Sequence, residues 1–337
     1  MHPNEKHYKT TTNIIGAGLI IFLVLINVLF NMSSIFSLLL EDLVGNDISY
    51  TVSSVFHIIV YLACFMIPAF IIRAMLKGRA PLQTMKLGFK LPARYICLIP
   101  STIAVCYACS NINAYILLLL SGGGGATSGV QTIPYAPYQM VLEFISIALV
   151  PAVCEEFLFR GVIAANLLPY GKGVAIIGSA VLFGLMHQNA AQIFYTTVAG
   201  IFMGYVYVKT GSILCSTIIH FINNGISVLQ DICYANLPSQ DAQICASIIT
   251  AAVYVTGAIG LIVFFAIQKN RKKKMYDNGS YGWLLETDDR FATSPISPRN
   301  KLKYFMSPCM IIYICLAFVS VASMVLLLMT VGAVGML

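Results

Sequence analysis

Two adjacent carboxylates and a guanidinium, Glu155, Glu156 and Arg160, sit in CEEFLFRG (residues 154–161), inside an apolar stretch running from Tyr138 to Leu168. Downstream, His187 ends VLFGLMH, and His220 lies in IIHFINNG, followed by Asn223 and Asn224. A carboxylate, imidazoles and an amide suit general-base hydrolysis. The acid takes a proton from water, an imidazole orients that water or protonates a leaving amine, and imidazole and amide together donate to an oxyanion. The same Glu155, His187 and His220 are also a Zn²⁺ ligand set with an open fourth position. The residue types alone leave both chemistries open.

Spacing separates these residues into roles. Glu156 precedes Arg160 by four, so the pair meets on one helix face and reads as a buried ion pair. Glu155 points about 100° away from Glu156 and needs its own partner. Asn224 follows His220 by four and shares its face, whereas Asn223, at three, is the weaker claimant. A single buried histidine is ordinarily a hydrogen-bonded core residue. Here one glutamate, two histidines and an asparagine fall on three apolar stretches within 70 residues. On an insertion scale, three charges at a helix centre cost about 9 kcal/mol, against about 6 kcal/mol returned by a dozen apolar residues. The charges must therefore be paired or face a polar cavity. Gly200 and Gly204 in GIFMG, with Gly178 and Gly184 on the preceding stretch, are small residues of the kind that let membrane helices approach closely.

The elements that must position these groups are set by composition. Of 337 residues, 58% are hydrophobic and 10% charged, too few polar residues to cover a soluble protein of this size. Apolar runs recur along the whole length, which predicts an all-α, polytopic transmembrane bundle of about nine spans. The runs lie near 14–40, 52–76, 95–120, 138–168, 174–189, 192–208, 211–230, 246–268 and 309–335. With a cytoplasmic N-terminus, every Lys and Arg falls in an inner segment or toward the inner part of a span. The outer loops at 41–51, 121–137 and 231–245 then hold acids and no Lys or Arg. The net charge of +7 is thus topological and does not imply nucleic-acid binding. The chain divides into a three-span region (1–137), a polar-bearing core (138–230), an outer loop and eighth span (231–268), a basic and polar inner loop (269–308) and a C-terminal span (309–337). KNRKKK at 269–274 reads as an inner anchor, and 275–307 as a polar loop. His57 reads as an interface residue. Cys233 and Cys245 share the 231–245 loop and form a disulfide if that loop faces an oxidising compartment. The other cysteines in apolar runs read as small core residues.

E-E-x-x-x-R at 155–160, F-x-x-x-H at 183–187 and H-x-x-x-N at 220–224 resemble the three motifs of the CAAX-protease and bacteriocin-processing family of intramembrane proteases, also called the abortive-infection family. All three occur in order on separate spans, over about residues 138–230. The resemblance implies an intramembrane endopeptidase that cuts near the C-terminus of a membrane-associated or lipidated peptide or protein. By that analogy Glu155 and His187 activate water, and His220 and Asn224 stabilise the oxyanion. Glu156, Arg160 and Phe183 support the site. The family is commonly classed with metallopeptidases, yet a metal-free glutamate mechanism fits these residues equally well. The implied partners are that substrate and the lipid bilayer. The sequence leaves the oligomeric state open.

Other intramembrane proteases fit worse. The chain has no H-E-x-x-H, no G-x-G-D and no G-x-S-x-G. A proton-coupled transporter also uses intramembrane carboxylates and histidines, but such proteins often show two matched halves. Here the first 137 residues hold no counterpart of the polar cluster. A catalytically silent immunity or scaffold protein is the third reading.

Overall fold

A computed structural model describes residues 3–44, 46–77, 93–120, 135–277 and 296–334. Its regular elements are all helices, as the apolar runs predict. Two long helices open the chain, α1 (Pro3–Val44) and α2 (Asn46–Leu76). A short turn of helix, Ala93–Ile96, leads into α3 (Leu98–Leu120). Next, α4 covers residues 137–167. Within it the α-helical stretches Pro137–Glu143, Val150–Glu156 and Ala165–Leu167 alternate with π-helical Phe144–Leu149 and Phe157–Ala164. Then follow α5 (Val174–Met186), α6 (Ala190–Thr210), α7 (Ile213–Asn236), α8 (Ser239–Asp277), α9 (Pro298–Phe305) and α10 (Pro308–Val334).

Six of these are long and apolar enough to cross a membrane: α1, α2, α6, α7, α8 and α10. Only 17–44% of their most apolar windows is buried, so most of their apolar surface faces outward, where lipid satisfies it. The molecule is a multi-pass membrane protein. All nine anticipated stretches fall on helix, but they are not equivalent. At thirteen residues, α5 spans about 20 Å, short of the roughly 30 Å of hydrocarbon it would have to cross. The run of α4 is interrupted by its π-helical stretches.

Two expected loops are corrected. The outer loop at 231–245 shrinks to Leu237 and Pro238. Nothing between 231 and 236 breaks a helix, so α7 carries Asp231 and Cys233, while α8 carries Asp241 and Cys245. Pro238 sits at the break, and its carbonyl accepts from the Ala242 N–H at 2.9 Å. Cys233 and Cys245 are free thiols that face each other across this turn. In the expected 269–308 loop, α8 continues through KNRKKK, and Pro298–Phe305 is helical. Ser297 caps α9, its hydroxyl accepting from the Asn300 N–H at 3.3 Å. Trp283, the GGGG run and most of the 77–94 loop lie outside the described residues.

The C-terminal segment is bonded to the N-terminus. The Thr12 hydroxyl donates to the Tyr304 carbonyl at 2.6 Å, Asn300 donates to the Glu5 carboxylate at 2.8 Å, and the Cys309 N–H reaches Asn13 at 3.1 Å. Deeper in, the buried Tyr313 hydroxyl donates to the Leu182 carbonyl on α5 at 3.1 Å. Thus α10 braces both α1 and the short helix that ends at His187.

Candidate active site

The site begins at Pro151. Proline carries no N–H, so the Ile147 carbonyl four residues before it loses its helical donor. The backbone around it widens into the π-helical turn Phe144–Leu149, a form of helix often found at functional sites. The Asn224 amide from α7 takes the vacant place and donates to the Ile147 oxygen at 3.2 Å. Its own carbonyl accepts from Asn223 at 3.3 Å. An amide nitrogen has two N–H groups, so Asn224 keeps a second donor beside the one that ties α7 to α4.

One turn beyond Pro151, the adjacent glutamates diverge as their spacing requires. Glu156 turns inward and is fully buried. Its Oε1 accepts from Arg160 Nη1 at 2.6 Å and from His220 Nδ1 at 3.1 Å. Arg160, 0% exposed, also donates to the Gly200 carbonyl at 3.1 Å and lies 4.7 Å from the centre of the Phe183 ring. The predicted pair is therefore real, and it does more than stitch one helix to itself. It joins α4 to α6 and fixes the His220 ring on α7. A Cβ on Gly200 would sit 3.0 Å from the Ala180 backbone, so the small residue permits the close crossing of α5 and α6. Gly184 does the same for Thr197 and the Ile193 carbonyl.

Glu155, 4% exposed, faces the other way. The Tyr61 hydroxyl on α2 donates to its Oε1 in a short hydrogen bond. Its Oε2 is buried with no hydrogen-bond partner and lies 3.8 Å from His220 Nε2. Because Nδ1 of His220 must donate to the Glu156 carboxylate, Nε2 is the ring atom directed at Glu155. His187 is held the same way: its Nδ1–H donates to the Phe183 carbonyl at 2.9 Å, which leaves Nε2 free. The His187 ring lies within the field of the Glu155 carboxylate. Phe183 is the hub of the cluster, edge-on to both histidines at 5.2 and 5.8 Å.

A cavity of about 920 Å³ opens onto Glu155, His187, His220, Asn223 and Asn224, with walls from α1 to α7. The spans are thus brought together in the way that the sequence requires, and Asn223, the weaker claimant, joins the wall beside Asn224. Three residues escaped the sequence reading or were misread there. Tyr61 had no signal beyond being one tyrosine in an apolar run. Glu143 did carry one, since it is a third carboxylate in the stretch that holds Glu155. It accepts from the Tyr50 hydroxyl at 2.5 Å and lines the same cavity. His57, expected at the membrane interface, is half-buried on the cavity wall instead. Its ring packs on Phe30 at 4.5 Å and approaches the Ser33 hydroxyl at 3.4 Å.

Among the described residues, no group of three or more His, Cys, Asp or Glu side chains is disposed to hold an ion. Both Nδ1 atoms are committed to protein partners, which leaves the Nε2 atoms of His187 and His220 and Oε2 of Glu155 as the atoms that would hold an ion.

Among curated proteins and among solved structures, no significant match is found. Residues 137–226 match a family model described as type II CAAX prenyl endopeptidase Rce1-like. That span starts at the first turn of α4 and ends just past Asn224, so it takes in all three motifs, both π-helical stretches of α4 and a third, Val174–Gly178, that opens α5. Over those residues, 90 of the 337, this multi-pass membrane protein is similar to the Rce1-like type of CAAX prenyl endopeptidase.

Proposed function

We propose that the protein is an intramembrane endopeptidase that hydrolyses a peptide bond near the C-terminus of a membrane-associated or lipidated peptide or protein. The observation that carries this reading is the split environment of Glu155. One oxygen is held by Tyr61, the other is buried and unpartnered, and the residue lines a cavity shared with two histidines and two asparagines. A buried polar atom without a partner costs roughly 1–3 kcal/mol, and a water molecule relieves that cost.

In this reading Glu155 Oε2 removes a proton from that water while His187 Nε2 orients it. The hydroxide adds to the scissile carbonyl. His220 and the free N–H of Asn224 face the developing oxyanion. Glu156 supports a protonated His220, as a carboxylate supports the imidazolium of a catalytic triad. The proton held by Glu155 then passes to the leaving amine. Arg160 keeps Glu156 ionised and in place.

The test supplies purified protein and its Glu155→Gln variant, both in liposomes, with a library of C-terminally extended lipopeptides. Mass spectrometry is expected to find cleavage with the intact protein alone. Equal cleavage by both would remove Glu155 from the mechanism. A strong chelator is expected to leave most of the activity. Its abolition, with recovery on added Zn²⁺, would overturn the metal-free route.

A further inference from the structure

His187 sits where α5 stops, and α5 is too short to cross a bilayer, so its neighbours must place that end. The chain reverses into α6 within two residues. Gln188 makes the reversal at a φ of 51°, the only positive φ outside glycine among the described residues. A Cβ makes this left-handed conformation costly, and glycine ordinarily fills it just past a helix end. Such strain persists where surrounding contacts impose it, and it clusters at functional sites. Asn189 follows and caps α6, its side chain accepting from the Ala191 N–H at 2.9 Å. Gln188 thus carries a conformational cost that glycine would avoid, and its side chain has a specific partner. Its Oε1 accepts from the Asn27 amide on α1 at 3.1 Å. The second N–H of Asn27 goes to the Leu23 carbonyl of its own helix at 2.8 Å. Neither Gln188 nor Asn27 is part of the cavity wall.

Resting on the proposed peptidase reading, we infer that Gln188 and Asn27 are positioning residues for His187. The bond from His187 Nδ1 to the Phe183 carbonyl sets the rotation of the ring, but Phe183 lies on the same helix. That bond moves with α5 and does not fix the ring relative to Glu155 on α4. The N–H groups of His187 and Gln188 also stay within the helix, on the Gly184 and Leu185 carbonyls at 3.2 Å each. Anchors from outside the helix do fix it. Tyr313 on α10 holds the Leu182 carbonyl at 3.1 Å, five residues before His187, and Asn27 on α1 holds Gln188, one residue after it. The histidine is bracketed between them. In apolar surroundings an amide left without a partner is costly, so the bracket resists opening. Its product is a fixed distance from His187 Nε2 to the water that Glu155 activates. A misplacement of about 1 Å at such a point costs on the order of 10²-fold in rate.

The test compares the full-length protein in liposomes with its Gln188→Gly, Gln188→Glu and Asn27→Leu variants. The readouts are unfolding temperature, kcat and KM on a lipopeptide that the intact protein cleaves, and the rate at which diethylpyrocarbonate modifies His187, followed by mass spectrometry. Gln188→Gly is expected to unfold at nearly the wild-type temperature, because glycine relieves the left-handed turn while the bond to Asn27 is lost. Its kcat should fall roughly tenfold with KM little changed. His187 should be modified several-fold faster, as its turn opens more often. Asn27→Leu removes the same bond from the side of α1 and should behave alike, which keeps the test open should Gln188→Gly fail to fold. Gln188→Glu keeps an accepting oxygen and should retain the wild-type kcat and modification rate. Wild-type kcat and modification rate in both Gln188→Gly and Asn27→Leu overturn the proposal. So does a loss in Gln188→Glu as large as in Gln188→Gly, or a loss of kcat that only follows the unfolding temperature. If the intact protein cleaves no lipopeptide, the peptidase reading fails and the modification rate alone decides. Faster modification in Gln188→Gly and Asn27→Leu but not in Gln188→Glu then upholds the bracket, and equal rates sink it.

Discussion

The segment 137–226 and the helix pair α1–α2 meet at one cavity but build it by different means. The first is dense in committed polar contacts. Glu156, Arg160, His220, the Gly200 carbonyl, Asn224 and the Ile147 carbonyl each have a partner fixed by a helix register or by a missing N–H. The second contributes scattered polar side chains, Glu41 from α1 and Tyr50, His57, Tyr61 and several serines from α2, that reach in from mostly apolar helices. The difference suggests a division of labour. In the proposed mechanism residues 137–226 carry the reacting groups, and the helices before them set how those groups are presented and what reaches them. Each prediction below tests one side of that division.

The largest effect is expected at Glu155. Glu155→Gln keeps the shape and the contact with Tyr61 but removes the base, and general-base catalysis contributes about 10²–10⁴-fold. Cleavage rate with unchanged thermal unfolding in detergent is the measurement. A rate within tenfold of the intact protein would place the chemistry elsewhere.

Arg160→Met strikes the domain's internal frame. It takes the guanidinium away from a buried carboxylate and leaves His220 as the remaining partner of Glu156; breaking such a buried pair costs about 3–5 kcal/mol. A large drop in unfolding temperature is expected. The double variant Glu156→Met/Arg160→Met removes both charges and should recover much of that stability without recovering activity, because His220 Nδ1 then has no acceptor. Recovery of both would show that the pair serves packing alone.

Asn224→Ala removes an oxyanion donor and is expected to lower kcat by about 10²-fold. It also frees the Ile147 carbonyl again, so a modest loss of stability accompanies it. Asn224→Asp keeps the size but offers no N–H to either acceptor, so it should lose the activity and the tie to Ile147 as the alanine variant does, which separates loss of the donor from loss of volume.

How much of this was legible follows from the same contrast. The 155–160, 183–187 and 220–224 spacings locate the reacting groups because charges and imidazoles are conspicuous in apolar runs, and because a four-residue offset fixes a shared face. The helical class follows from the length of those runs. The nine-span count was less secure, since hydropathy does not register that α5 is too short to span alone. The polar residues of 231–245 predict a loop, yet no residue there prevents α7 from continuing to Asn236. Pro151 is visible in the sequence, but that Asn224 occupies the place of its missing N–H follows only from the way α7 packs on α4. Tyr61 was invisible for a related reason. Which of 18 tyrosines reaches Glu155 depends on how α2 is rotated against α4, and no local spacing encodes that.

Tyr61→Phe is the smallest of these effects and the sharpest test of the division of labour. The phenol donates to Oε1 of Glu155, so it holds the carboxylate with Oε2 toward the cavity. Phenylalanine preserves the stacking on Phe65, at 4.7 Å between ring centres, and thus the packing of α2. It removes one hydrogen bond to a charged group, worth about 1.5–3 kcal/mol, only part of which bears on the transition state. A roughly tenfold fall in kcat is expected, with KM and unfolding temperature nearly unchanged. If kcat stays put, α2 only walls the cavity, and residues 137–226 present their own base. If KM rises instead, Tyr61 belongs on the substrate side of the division.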